Sequence, residues 1–177
     1  MPIDMKSVIA DTLLTMTQRK GIDKITVKAL IEECHISRQT FYYHFQDIME
    51  VIEWAMEQAV QNTLKYSLNT DSPEEAFVYL LDSSVKNHEL ILKLMNSQKR
   101  EQIEKLFFHA TKTYLQALIE NKVHDLSLNY SDVGVALNFY AFGISGLLLM
   151  YCQHVDIDTK KLAKQISQFL PLNNKNK

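Results

Sequence analysis

Glycine and proline are scarce in this chain, four and three respectively in 177 residues. Their scarcity leaves long periodic segments uninterrupted, which favours helices, and no stretch carries a strand signal or an internal repeat. Cysteine is scarcer still. Cys34 and Cys152 stand in apolar runs without metal-ligand spacing and read as buried thiols of a reducing compartment. The six histidines, His35, His44, His88, His109, His124 and His154, are scattered, with no metal-ligand spacing and no paired carboxylates. There is no glycine-rich phosphate loop and no nucleophile with a placed base, so no catalysis, cofactor or metal is expected. The first residues, MPIDMKSVIADTLL, include acids and no unbroken apolar run, unlike a signal peptide, and a cytoplasmic location is expected. A basic surplus is missing too. The formal net charge is −2, and residues 1–54 alone hold six Lys and Arg against eight Asp and Glu. Nonspecific nucleic-acid binders normally show the opposite balance.

What is present begins with Thr26 to Phe45, TVKALIEECHISRQTFYYHF. It reads as two short helices joined by a tight turn, with a first helix from about Lys6 to Lys20 before them. Val8, Ile9, Leu13 and Met16 make the first apolar stripe, and Gly21 follows Arg19 and Lys20 as a stop signal. Thr26 suits the N-cap of the second helix, whose Val27, Leu30, Ile31 and Cys34 face inward. Ile36 anchors the turn and Ser37 caps the third helix. There Phe41 and Phe45, four apart, face the core. Arg38, Gln39, Thr40, Tyr42, Tyr43 and His44 occupy the other face, and from Cys34 to Gln46 there is no acid. This is the layout of a helix-turn-helix whose second element enters the DNA major groove.

Asp47 then caps a long fourth helix to about Leu68, with Ile48, Val51, Ile52, Ala55, Ala59 and Leu64 as its expected buried side. Ser72-Pro73-Glu74-Glu75 opens a fifth helix to about Lys86, combining a cap, a first-turn proline and acids at the positive end. Further helices are expected over Leu90–Met95, from Arg100 to Lys122, from Ser131 or Asp132 to about Gln153, and from Thr159, with Leu162, Ile166, Phe169 and Leu170 apolar and Pro171 closing it. The tail LNNKNK is polar. Residues 133–152, VGVALNFYAFGISGLLLMYC, are uncharged over a length that could cross a membrane. Asn138 and Ser145 lie inside, however, and no basic residue flanks either end closely, which argues against a membrane anchor. A helix apolar all round is expected where its own domain covers one side and a second copy the other. Phe142, Gly143, Gly146 and Met150, with Leu162 and Ile166 of the last helix, are the expected dimer contacts.

Over roughly Ile9 to Val51 the chain resembles the TetR family of transcriptional regulators. The resemblance rests on GIDKITVKALIEECHIS, on RQTFYYHF and on the acid-capped helix after it. The wording RQTFYYHFQD is similar to the branch that includes dihydroxyacetone-kinase regulators. The resemblance implies an all-α fold, with a three-helix DNA-binding head over 1–47 and a helical bundle for dimerisation and signal sensing over 48–177. Carried over, it implies that Thr26 touches a phosphate and Lys28 reaches the backbone or groove edge. It implies base-edge contacts for Arg38, Gln39, Thr40 and Tyr43, and phosphate contacts for Tyr42 and His44. The chemistry agrees: Arg pairs with guanine, Gln with adenine, and Thr or Tyr packs on a thymine methyl. Hydroxyl and imidazole groups hold phosphates, which fixes register without reading sequence.

Two departures stand out. His35 occupies a turn position usually held by glycine, and Ile48 replaces a lysine that grips phosphate. The family's effector pocket would draw on Phe77, Leu81, Leu94, Phe107, Tyr114 and Phe139, although such spacing also describes plain core, and a protein could supply the signal instead. The function implied is a cytoplasmic homodimeric regulator, a repressor by family habit, binding a duplex operator. The acidic balance and Ile48 keep open an all-helical adaptor with a degenerate head. The sequence names no operator, target gene or effector.

Overall fold

A computed structural model of the chain describes residues 4–70, 72–122, 130–151 and 158–169. Cys152, Leu170, Pro171 and the polar tail lie outside those residues. The described chain is helical throughout, without a strand. Its helices are α1 (Met5–Lys20), α2 (Val27–Cys34), α3 (Arg38–His44), α4 (Ile48–Leu68), α5 (Pro73–Lys86), α6 (His88–Met95), α7 (Arg100–Lys122), α8 (Tyr130–Tyr151) and α9 (Thr159–Phe169). One turn of 3₁₀ helix, Ile22–Lys24, links α1 to α2.

The helix ends are set by side chains. Asp4 accepts the Lys6 N–H at 3.1 Å, Thr26 Oγ1 the Ala29 N–H at 3.1 Å, and Ser37 Oγ the Thr40 N–H at 2.9 Å. At the start of α4, Asp47 accepts the Glu50 N–H at 2.9 Å while the Glu50 carboxylate accepts the Gln46 N–H. Each satisfies a donor that the first turn of a helix leaves open, and removing one such cap costs about 1 kcal/mol. Gly21 ends α1 at φ +78°, a conformation that side chains resist.

The residues form two compact units, 1–58 with 89–106, and 59–88 with 107–177. The sequence implies a boundary after residue 47, between head and bundle. By compactness, α4 contributes to both units, and α6 with the start of α7 belongs to the first.

In the first unit α1 packs on α2 and α3, and α2 on α3. Ile9, Leu13, Met16, Leu30, Phe41, Phe45, Val51, Ile52 and Ile103 are almost wholly buried. The Phe45 ring meets Trp54 edge to face at 6.1 Å. Asp23 accepts the Gln98 N–H at 3.0 Å, and Lys93 Nζ donates to the Gln18 carbonyl, so the α6–α7 corner is tied to the end of α1 and its following turn.

In the second unit α5 packs along α9. The core joins Phe77 and Leu81 of α5, Tyr114, Leu115 and Leu118 of α7, Leu137, Ala141, Ile144 and Leu148 of α8, and Leu162, Ala163 and Ile166 of α9. Inside it the Tyr114 hydroxyl meets Ser67 Oγ of α4 at 2.8 Å. Burial pushes the Tyr114 phenol up to about 12, against the opposing pull of the Ser67 hydrogen bond.

Two expectations about faces need correction. Ala59 is exposed, and the buried positions of the second half of α4 are Thr63 and Ser67. A small apolar residue fits either face, so periodicity alone could not place it. Phe169 of α9, apolar, is 79% exposed. Leu162 and Ile166, expected at a dimer contact, are buried in the subunit's own core against α5, α7 and α8.

Candidate nucleic-acid interface

The turn before α3 is built by His35, the one described non-glycine residue with a left-handed backbone (φ 53°, ψ 40°). With it in place, His35 N–H donates to the Glu32 carbonyl and Ile36 N–H to the Ile31 carbonyl, each at 3.2 Å. These bonds close the end of α2 in the pattern glycine usually supports. An imidazole tolerates this conformation better than most side chains, which is how the sequence departs from glycine and still keeps the turn.

Ser37 then starts α3, and its hydroxyl also meets Thr40 Oγ1 at 2.8 Å. Phe41 and Phe45 fix the helix from beneath, their rings 6.3 Å apart. Because those two positions are committed to the core, the opposite face is turned outward. Arg38 and Gln39 are exposed, Thr40 and His44 half-buried, Tyr42 46% exposed and Tyr43 84% exposed. The Tyr43 and His44 rings meet edge to face at 4.9 Å. Thr26 and Lys28 are exposed at the start of α2, and Lys28 Nζ stands 4.0 Å from Glu32 Oε1. At that separation in solvent the pairing is weak, which leaves the lysine available to a phosphate. All eight expected DNA-facing residues therefore have at least part of their surface open, and the six on α3 share one helix.

Two charged features escaped the sequence reading. Lys6 of α1 lies 5.1 Å from the centre of the Phe45 ring, bringing a cation to the C-terminal end of α3. The guanidinium of Arg38 lies 5.5 Å from the centre of the Tyr42 ring. The i, i+4 spacing signals the second, whereas only the fold brings Lys6 to α3. Ile48 is buried, so its position serves packing in this chain. Asp47 and Glu50, the nearest acids after α3, are engaged in capping α4. Cys34 is half-buried; burial raises its thiol, while a hydrogen bond with Thr12 acts the other way.

The six residues expected around an effector do not converge on one space. Phe77, Leu81 and Tyr114 are buried in the second unit's core, and Leu94 is buried in the first unit. Phe107 is half-buried, and Phe139 is 73% exposed. A hollow of about 450 Å³ in the second unit is lined by other residues, among them Tyr66, Glu74, Glu75, Tyr79, Asp82 and Lys160.

On α8, Val135, Phe139, Phe142, Gly143, Gly146 and Met150 are exposed, while Leu137, Ala141, Ile144 and Leu148 are buried on the other face. A Cβ built on Gly143 or Gly146 meets nothing within 4 Å. Residues Asp132–Tyr151 are long and apolar enough to cross a membrane, with mean hydropathy 1.8. Their inner face nonetheless supplies four side chains to a core shared with α5, α7 and α9.

Residues 9–53 match the family described as bacterial regulatory proteins, tetR family, and residues 71–171 match the transcriptional regulator C-terminal region of the same group. An all-helical chain with a helix-turn-helix at its start thus belongs to the TetR family of transcriptional regulators. No curated protein matches it in sequence. Among solved structures it is similar to the dihydroxyacetone kinase operon activator DhaS, at 21% identity and TM-score 0.67 over 92% of each chain. It is also similar to Lin0861 from Listeria innocua, at 21% identity and TM-score 0.71 over 95% of this chain and 92% of that one. The TetR family repressor AlkX from Dietzia sp. strain DQ12-45-1b follows at 14% identity and TM-score 0.60, over 91% and 92% of the two chains. At these identities the likeness is one of fold.

Proposed function

We propose that this regulator acts as a cytoplasmic homodimer that represses transcription by inserting α3 of each subunit into the major groove of a two-fold operator. The observation that carries this reading is the division of α3. Phe41 and Phe45 are buried, and Arg38, Gln39 and Tyr43 project from that anchored base. Arg38 and Gln39 bring bidentate donors to base edges, Tyr43 and Thr40 a ring and a methyl to thymine, and Thr26, Lys28 and His44 hold phosphates. Lys6 adds a cation to that set. The absence of a basic surplus predicts a shallow salt dependence per subunit, so affinity depends on two heads acting together.

The dimer reading rests on the outer stripe of α8. Glycine in a helix interior costs roughly 0.5–1 kcal/mol relative to alanine. The subunit itself gives Gly143 and Gly146 no steric reason for lacking a side chain. Close approach by a second α8 supplies one, and it covers Phe139, Phe142 and Met150. Either a small molecule or a protein would provide the signal; the scattered positions of the six expected pocket residues favour neither a particular ligand nor a particular wall.

The test is gel retardation on duplex from upstream of the chain's own gene. Specific retardation by wild type, with Arg38→Ala losing about 1–3 kcal/mol of discrimination at one base pair, supports the regulator reading. Failure to retard any duplex specifically, even at low salt, favours the adaptor with a degenerate head. A chromosomal deletion that lowers expression from the bound promoter would replace repression by activation, the role named for DhaS.

A further inference from the structure

Resting on the proposed reading of α3, we propose that Tyr42 is a positioning residue for Arg38 rather than a phosphate ligand in its own right. The two lie one helical turn apart, a spacing that puts them side by side on the same face. The Arg38 guanidinium carbon stands 5.5 Å from the centre of the Tyr42 ring, within the range where a cation is held by the ring's negative face. The ring is itself braced. Phe41, fully buried, meets it edge to face at 5.3 Å with an interplanar angle of 87°. Phe41 packs in turn against Phe45 in the base of the head. A chain of rings therefore runs from the core to the guanidinium.

No acid forms an ion pair with Arg38 among the described residues, and the first acids after α3, Asp47 and Glu50, accept backbone N–H groups at the start of α4. Without such a platform, an exposed arginine samples many rotamers, and that freedom is lost on binding a base. Holding the guanidinium over Tyr42 removes part of that loss before the duplex arrives. Arginine also stacks on aromatic faces while keeping its donors free at the edge, so the platform leaves the guanine-reading atoms available. The contribution of Tyr42 is thus to the ring and not to the hydroxyl, and it is felt only where Arg38 reads.

The experiment has two arms. In the first, arginine-labelled protein is studied by NMR without DNA. The Arg38 δ-methylene signals are expected upfield in wild type and in Tyr42→Phe, and at ordinary positions in Tyr42→Leu; ordinary positions in wild type overturn the proposal whatever the protein binds. The second arm uses a duplex selected by wild type from a randomised pool, with each base pair then varied. Tyr42→Phe should keep wild-type discrimination. Tyr42→Leu should lose roughly three- to fivefold at the base pair that Arg38→Ala affects, and little elsewhere. The double variant should be no worse at that base pair than Arg38→Ala alone.

A uniform loss in Tyr42→Phe on every duplex, with the salt slope unchanged because a neutral hydroxyl displaces no counterion, would mean a hydroxyl–phosphate contact and reject the positioning role while leaving the regulator reading intact. Failure of wild type to select any duplex rejects both, even with the upfield signals present.

Discussion

The two compact units leave opposite kinds of surface open. In the first, the described large aliphatic and phenylalanine side chains are buried or half-buried, and the projecting face of α3 is polar and aromatic: Arg38, Gln39, Tyr42, Tyr43. In the second, α8 buries one apolar face and exposes another, from Val135 through Phe139 and Phe142 to Met150. Water tolerates the first surface at no cost. The second is the kind of contiguous apolar stripe that soluble subunits cover with a partner. A polar face on a rigid base suits a partner read by hydrogen bonds, whereas an apolar stripe relieved by two glycines suits one held by packing. On the proposed function, the difference puts the two partners, duplex and second copy, on different units.

The sharpest way to break this comparison is to remove the base on which α3 stands. Phe41→Ala empties a fully buried site and is expected to destabilise the first unit by about 3–5 kcal/mol. Denaturant unfolding followed by Trp54, the one tryptophan and a neighbour of Phe45, reports that unit directly. An unchanged Trp54 midpoint would mean that Phe41 does not anchor the reading helix.

The corresponding stroke at the second unit leaves the subunit alone. Gly146→Glu has open space for its side chain inside the chain and replaces a poor helix former, so helix content should hold or rise slightly. Two carboxylates forced into an apolar contact should weaken association by on the order of 3 kcal/mol, more than a hundredfold. Sedimentation at micromolar concentration checks it, and a variant that remains dimeric locates the contact elsewhere. Leu162→Ala is the contrast: it should lower subunit stability by about 2–5 kcal/mol, because Leu162 is core.

How much of this was legible in the sequence depended on whether a residue acts through its own backbone neighbourhood. Thr26, Ser37, Asp47 and Ser72 were readable as caps because capping needs only one side chain and the next three residues. Phe41 and Phe45 were readable because four-residue spacing on a short helix leaves them one common face. Ala59, Leu162 and Ile166 were not, since periodicity names a face without saying which neighbour covers it. On α8 even the face was hidden, because apolar residues occur all round and only burial separates Leu137 from Phe139. The expected effector residues are ambiguous for the same reason: core and pocket draw on one alphabet. Asp4 is an equally local cap, through the Lys6 N–H, that escaped the sequence reading, whereas Lys6 beside Phe45 depended on a contact that no motif announces.

A smaller effect separates the units by their interior chemistry. The first unit leaves one buried hydroxyl, Thr17 Oγ1, without a partner, whereas the second pairs Tyr114 with Ser67. Tyr114→Phe should cost about 1–2 kcal/mol at neutral pH, the worth of a buried hydrogen bond plus the Ser67 hydroxyl left behind. The pH dependence has a definite sign. A phenol raised to about 12 in the fold from the ordinary value of 10 holds its proton more tightly when folded. Its contribution is therefore complete below pH 10 and lost as pH rises from 10 to 12. The wild-type advantage over Tyr114→Phe, measured by urea unfolding, should shrink across that interval. A constant advantage would mean that the phenol titrates at the same pH folded as unfolded, so that burial does not raise it.

The smallest expected change concerns the turn that aims α3. His35 sits in the left-handed region, where a side chain costs of order 1 kcal/mol and glycine nothing. Glycine in turn gives the unfolded chain more freedom, which offsets part of the relief. His35→Gly should therefore raise the stability of the first unit by at most about 1 kcal/mol, read as a small upward shift in the Trp54 denaturation midpoint. The hydrogen bonds of His35 and Ile36 to the end of α2 are made by backbone and survive the change, so the aim of α3 and the discrimination at the Arg38 base pair should not move. If glycine stabilises the head but weakens operator reading, the imidazole does more than fill a turn. Being exposed and one residue beyond α2, it would then join the phosphate-facing set of the polar unit.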